Sequence, residues 1–404
     1  MLRNNSHIHL PPNFSAFITV QQVVDLASAQ DVRVIGVTNY YDYCVYREFA
    51  EAAKKARIFP LFGLEIISLV DELVKAGVKV NDPGNPGRMY ICGKGVTKFD
   101  PVRGDAAVIL EKIRKADIQR MREMISKAAE VFCRAGVGLG VTEAGIREMI
   151  VRRHGCPANI VYIQERHIAQ AFQEAIFAKV LPEKRAELLT RAYGITPKSP
   201  VDDAVRTQNE FRSNLLRAGK PAFVIESFVS DAEACKMILA MGGIPCYPTL
   251  ADGATPMCPY EETPEKLIAN IRAMGVAMAE MIPVRNTPEV LLKYVKSMRA
   301  AGIAVVGGTE HNTLDLIPLE PTCVKGASIP DEVKAIFWEG ACVIAAHQHL
   351  AAKGEEGFVD ASGRPNAKYA SADERIRAFA AMGEKVIMEF LNGKQGKHYA
   401  VAEV

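Results

Sequence analysis

Two stretches of this 404-residue chain alternate short apolar runs with amphipathic helical runs, and they flank a long stretch that is helical throughout. This layout constrains the fold more than any other feature of the sequence. Over the first hundred residues, "HIHL" reads as a short strand. "TVQQVVDLASAQD" reads as a helix opened by Thr19, and "VRVIGVTN" as a buried strand. "DYCVYREFAEAAKKAR" is helical, "FPLFGLEII" is a strand and "RMYICGKGV" a fourth. Strands that alternate with helices predict parallel βα units. The alternation returns over 223–353, and the two flanks together hold about seven units, enough to close an α/β barrel.

Residues 104–222 show helical spacing and little strand signal, so they predict a helical insertion or cap on the barrel. This segment holds 20 Lys+Arg against 14 Asp+Glu, while the whole chain has a net charge of only +2. A solvated basic surface would account for the excess. So would an electropositive lid over an anionic substrate. Residues 354–404 form an extension with a polar loop and one helix.

The near-neutral total charge argues against nucleic acid as the main partner. Nine cysteines without a CxxC pair read as reduced thiols in a cytoplasmic protein. Pro11 and Pro12 interrupt any apolar leader, and no run approaches the ~20 apolar residues of a membrane helix.

Within "SHIHL", His7 and His9 stand at i and i+2, on one face of a strand. Two imidazoles so placed make half of a metal site. At the ends of other strands stand Glu65, Glu280 and Glu310, the last followed by His311 and Asn312. In a barrel, strand ends of this kind line the active-site mouth. Arg285 follows the strand that bears Glu280 and is a candidate anion ligand. His347 and His349 sit on a helix two residues apart, which points to structural or exposed roles, and His154 and His398 carry no assignment.

These motifs resemble the PHP (polymerase and histidinol phosphatase) superfamily, whose members are distorted (β/α)7 TIM-like barrels that bind metals and hydrolyse phosphate esters. "SHIHL" resembles the first motif of that superfamily, "GVTNYYD" the second (usually TDHD), "FGLEI" the third (usually GxE) and "GGTEHNT" the last (usually GSDxH). The likeness is greatest to the branch acting on nucleotide and oligonucleotide phosphates. That branch carries a helical insertion with a "GRPHIA"-like segment, matched here by "QERHIAQAF", and "SDAEACKMILAMGGIPCYP" is similar to its return into the barrel. The resemblance spans residues 1–350 or so and implies phosphate contacts from Arg166 and His167.

The departures are systematic. Where the family has histidine ligands, this chain has Tyr40, Tyr90 and Tyr247, and the last motif's aspartate and histidine become Glu310 and Asn312. His7, His9 and Glu65 remain. The resemblance therefore implies a reduced centre holding one divalent ion (Zn, Mn or Fe) on His7, His9, Glu65 and Glu310. Tyr40, Tyr90, Tyr247, Glu310 and His311 become candidate catalytic groups, and Arg166, His167, Arg285 and Asn312 candidate contacts for a small anionic substrate. The expected activity is hydrolysis of small phosphorylated substrates. Two alternatives are a metal-dependent isomerase or lyase acting on a sugar or sugar acid, and a non-catalytic binding protein on the same barrel.

Overall fold

The computed structural model describes residues 1–225 and 228–393. Seven strands form one sheet in chain order: β1 (Arg3–Ile8), β2 (Val32–Tyr40), β3 (Phe59–Leu69), β4 (Arg88–Lys94), β5 (Ile244–Thr249), β6 (Met278–Met281) and β7 (Ala304–Gly307). The sheet closes on itself just beyond β7. The amides of Thr309 and Glu310 donate to the His7 carbonyl at 3.0 and 2.8 Å, and the His9 amide donates to the Glu310 carbonyl at 2.9 Å. Gly308 allows this closure, because a Cβ there would lie 2.3 Å from the His7 Cβ. The fold is the expected distorted seven-stranded TIM-like barrel with added helices.

One expectation fails. β4 runs antiparallel to both β3 and β5, whereas the other pairs are parallel. The segment between β3 and β4 carries only the five-residue helix Asp71–Lys75. A parallel return needs a crossover element packed across the sheet, and this segment has none of sufficient length. The reversal has a consequence for the site. Tyr90, early in β4, lies opposite Ile67 near the end of β3, at the mouth. Lys94 ends the strand opposite Gly63 and Ile244, deep in the barrel.

The insertion begins with the helix Gly104–Arg134, whose two halves serve different cores. Ala106, Ile109, Leu110 and Ile113 pack with the barrel, while Met121 through Phe132 join a separate cluster with the later helices. Phe132, Phe172 and Phe211 stack at the centre of that second core, with ring centroids 5.1–6.1 Å apart. Thr142 and Asp203 cap two of its helices with side-chain oxygens, as short polar residues at N-caps do.

The opposite end of the barrel is closed by the helices Asp331–Ala352 and Ala372–Leu391. They share a third core with early strand residues such as Val34, Phe59, Ile244, Met278 and Ala304. The two helices touch closely at Gly383, where a Cβ would fall 1.8 Å from the Cys342 carbonyl oxygen. His347 is structural, as expected. Its Nε2 meets the Gly242 carbonyl at 3.0 Å, its Nδ1 accepts from the Phe358 amide at 3.0 Å, and burial lowers its pKa to about 4. His398 lies outside the described residues. Among the described residues, no helix is long and apolar enough to cross a membrane.

Candidate active site

β1 and β3 bring three potential ligands together at the mouth of the barrel. His7 Nε2 and His9 Nε2 are 3.4 Å apart, and both face Glu65 Oε2, at 3.7 and 3.4 Å. All three side chains are buried. The pleat accounts for the first two, which alternate with the core residues Ile8 and Leu10 on the other face. Glu65 ends the paired stretch of β3 beside Tyr40.

Their hydrogen bonding is lopsided. His7 Nδ1 lies 2.8 Å from Glu280 Oε2, so that nitrogen carries the proton and Nε2 presents its lone pair to the mouth. Among the described residues, His9 Nδ1 is buried without a hydrogen-bond partner, and Glu65 Oε2 forms no ion pair with a Lys or Arg. A buried carboxylate oxygen in this state needs a cation. Two imidazole nitrogens and one carboxylate oxygen within 4.8 Å of one another fit a divalent metal, with Glu280 fixing the orientation of one ligand from behind. Burial depresses the His9 pKa, which favours the neutral form that a metal requires.

Glu310 is not part of this triad. Both of its oxygens are held elsewhere: Oε1 by Arg285 at 3.0 Å, and Oε2 by a second Arg285 nitrogen and by the Asn312 amide. Burial pushes its pKa up, but the Arg285 guanidinium, charged and hydrogen-bonded to it, outweighs that and leaves it at about 2. Glu310 and His311 both adopt left-handed backbone conformations, with φ of 60° and 51°. Two such non-glycine residues in succession cost roughly 1–3 kcal/mol each. The strain swings the Glu310 side chain into the mouth and the His311 ring out of it.

His311, expected to be catalytic, is accordingly structural. Its Nδ1 meets the Thr309 hydroxyl at 2.6 Å, its Nε2 the Ile317 carbonyl at 2.9 Å, and its ring stacks on Phe17. Tyr247 also departs from expectation. It is fully buried, donates to Glu261 Oε1 at 2.7 Å, and does not line the cleft. His167 caps its own helix by accepting from the Gln164 amide at 3.1 Å, burial takes its pKa to about 3, and it does not line the cleft.

The other candidates converge on one cleft of about 290 Å³ between the barrel mouth and the insertion. Tyr40, Glu65, Tyr90, Arg166, Arg285, Glu310 and Asn312 all line it. Tyr40 stacks on His9 with planes 5° apart and centroids at 5.3 Å. Burial first, and then the charge of Glu65, push the Tyr40 phenol well above its usual pKa. Burial pushes that of Tyr90 to about 12. Both phenols are therefore donors at neutral pH. Arg166 donates to the Asn312 side-chain oxygen Oδ1 at 3.2 Å and forms no ion pair among the described residues, with Arg212 and Arg285 nearby. A guanidinium so placed favours an anion in the cleft.

Two features escaped the sequence. One is Lys94, whose Nζ donates to Glu280 Oε1 at 2.8 Å and to the Ser6 carbonyl at 3.0 Å. The other is an ionic lattice along the cleft wall. Glu165 meets Arg88, Arg120 and Arg212, and Asp82 meets Arg88 and Arg217. Asp117 takes a hydrogen bond from the Tyr162 hydroxyl at 2.6 Å and pairs with Arg120.

No protein-family model matches the chain, and neither does any curated protein. Solved structures do. One, provisionally named a metal-dependent phosphoesterase, from Bifidobacterium adolescentis, aligns with a TM-score of 0.54 at 15% identity. The alignment covers 82% of this chain and 94% of that one. Another, an amidohydrolase from Chromobacterium violaceum with sulfate bound and no metal, aligns with a TM-score of 0.51 at 20% identity. It covers 83% of this chain and 96% of that one. Likeness at these identities shows the fold. Both names denote hydrolases.

Proposed function

We propose that this chain is a metal-dependent hydrolase of small phosphorylated substrates with a single-metal centre. The observation that carries this reading is the convergence of His7 Nε2, His9 Nε2 and Glu65 Oε2, with Glu65 lining a cleft that Arg166 also lines. Zn, Mn or Fe suits two nitrogens and one oxygen, and such an ion supplies Lewis acidity toward a phosphoryl oxygen and toward water. Arg166 holds the substrate anion with its uncommitted donors. Arg285 holds it once its pairing with Glu310 loosens. Tyr40 and Tyr90, protonated at neutral pH, donate hydrogen bonds to substrate oxygens, and Asn312 keeps Arg166 aimed at the cleft. The similarity in fold to proteins named as hydrolases supports the reaction class by analogy.

A second reading, an isomerase or lyase for a sugar or sugar acid, is favoured by the Tyr40 ring stacking on His9. One experiment tests both. Protein with measured metal content is assayed against phosphate monoesters, phosphodiesters and hexuronic acids, alongside a His7→Ala/His9→Ala variant. Phosphate release that depends on the two histidines supports the hydrolase. Metal-dependent turnover of the sugar acids alone would replace it with the second reading. A metal-free, inactive wild-type protein would leave only a binding role.

A further inference from the structure

Lys94 is the only buried lysine among the described residues, and it lies inside the barrel, not at its rim. It forms one end of a three-residue chain. Its ammonium donates to Glu280 Oε1 at 2.8 Å, and Glu280 Oε2 lies 2.8 Å from His7 Nδ1. The other nitrogen of His7 belongs to the metal-ligand triad. A second cluster of potential ligand atoms, on His7, Cys92 and Glu280, converges in the same interior. The Lys94 ammonium already answers the Glu280 charge there, so a second metal ion would have to settle against a buried cation.

A buried ion pair is seldom kept for stability, since apolar residues of equal volume serve as well or better. This pair has a third member, and that member is a candidate metal ligand. A carboxylate behind a ligating histidine fixes the ring's tautomer and raises its basicity. Here the carboxylate is itself fixed by an ammonium that no chelator can remove.

We propose that Lys94 is a built-in cation. It stands where a second metal ion would otherwise sit and, through Glu280, holds His7 with Nδ1 protonated and Nε2 turned to the mouth. Lys94 and Glu280 are positioning residues in this arrangement. The inference rests on the single-metal reading given above.

The test compares wild type with Lys94→Met, Glu280→Gln and the double variant, each stripped of metal and then titrated with Zn²⁺. The His7 tautomer in the metal-free proteins is read from ¹⁵N–¹H imidazole correlations. The wild type takes one Zn²⁺ and shows a single Nδ1–H tautomer. Lys94→Met weakens Zn²⁺ binding by roughly 10–100-fold and mixes the tautomers. On the Glu280→Gln background, removing Lys94 adds less than about threefold, because Lys94 acts through Glu280. Should Lys94→Met fail to fold, the comparison of the double variant with Glu280→Gln still decides. A larger further loss there overturns the proposal. So does a wild type that binds two Zn²⁺, or a folded Lys94→Met protein with unchanged affinity and tautomer. A wild type that binds no Zn²⁺ sinks the hydrolase reading and the cation-substitute role together. The tautomer comparison then judges the positioning role separately.

Discussion

The floor and the wall of the cleft are both made of buried charged groups, yet they are finished differently. On the wall, Glu165 and Asp82 each meet two or more guanidiniums, which join the barrel strand β4 to the insertion. On the floor, Glu65 Oε2 faces the imidazoles of His7 and His9 at 3.7 and 3.4 Å and, among the described residues, forms no ion pair with a Lys or Arg. A buried carboxylate needs a counter-charge, so the wall, where guanidiniums supply it, reads as a joint, and the floor, where only imidazoles ion-pair with Glu65 among the described residues, as a receptor for a cation. Buried charge alone does not mark a functional site; a buried carboxylate without a Lys or Arg counter-ion does.

The largest effect that would sharpen this contrast is on the floor. His7→Ala/His9→Ala abolishes metal binding and lowers hydrolysis by roughly 10³-fold, the several kcal/mol a metal ion contributes. Elemental analysis and turnover check this, and retained metal would erase the distinction. On the wall, Glu165→Ala removes one carboxylate from three guanidiniums and costs roughly 3–5 kcal/mol in urea unfolding, with metal content unchanged. If the loss falls on metal and not on stability, the two regions have exchanged roles.

Arg166→Met belongs between them. It raises KM for anionic substrates by roughly 10–100-fold, the worth of one charged hydrogen-bonding group, with little change in stability. Steady-state kinetics separates that from a kcat effect.

The smallest effect is a pH slope. Burial depresses His311 and His347 to about 4. Below the unfolded value of about 6.5 the unfolded chain takes up protons that the native chain refuses. Stability is therefore intact above 6.5 and lost as pH falls toward 4, at up to ~1.4 kcal/mol per pH unit for each histidine. His347→Gln flattens that slope in unfolding measured between pH 5 and 7, and neither floor nor wall takes part.

The sequence made the barrel and the His7–His9–Glu65 triad legible because strand periodicity decides which residues share a face. The rest depended on partners far away in the chain or on local backbone twist. Nothing near Tyr247 announces that Glu261, from the loop beyond β5, will claim its hydroxyl. The motif "GGTEHNT" lines up Glu310 and His311, yet two left-handed residues send them in opposite directions. His167 stands three residues after the residue it caps, so its capping role was legible locally beside the phosphate contact that the family likeness implies. Lys94 was hidden by the reversal of β4, which carries a residue from the strand's far end into the barrel.

The closed end of the barrel bears on how the protein is made. The helix Asp331–Ala352 is buried along most of its length, and its outer cover, Ala372–Leu391, is synthesised after it. On the ribosome, a nascent chain carries that greasy helix uncovered until its partner leaves the exit tunnel. Chains released early, near residue 360, would then expose the same helix permanently and be material for chaperones and proteases.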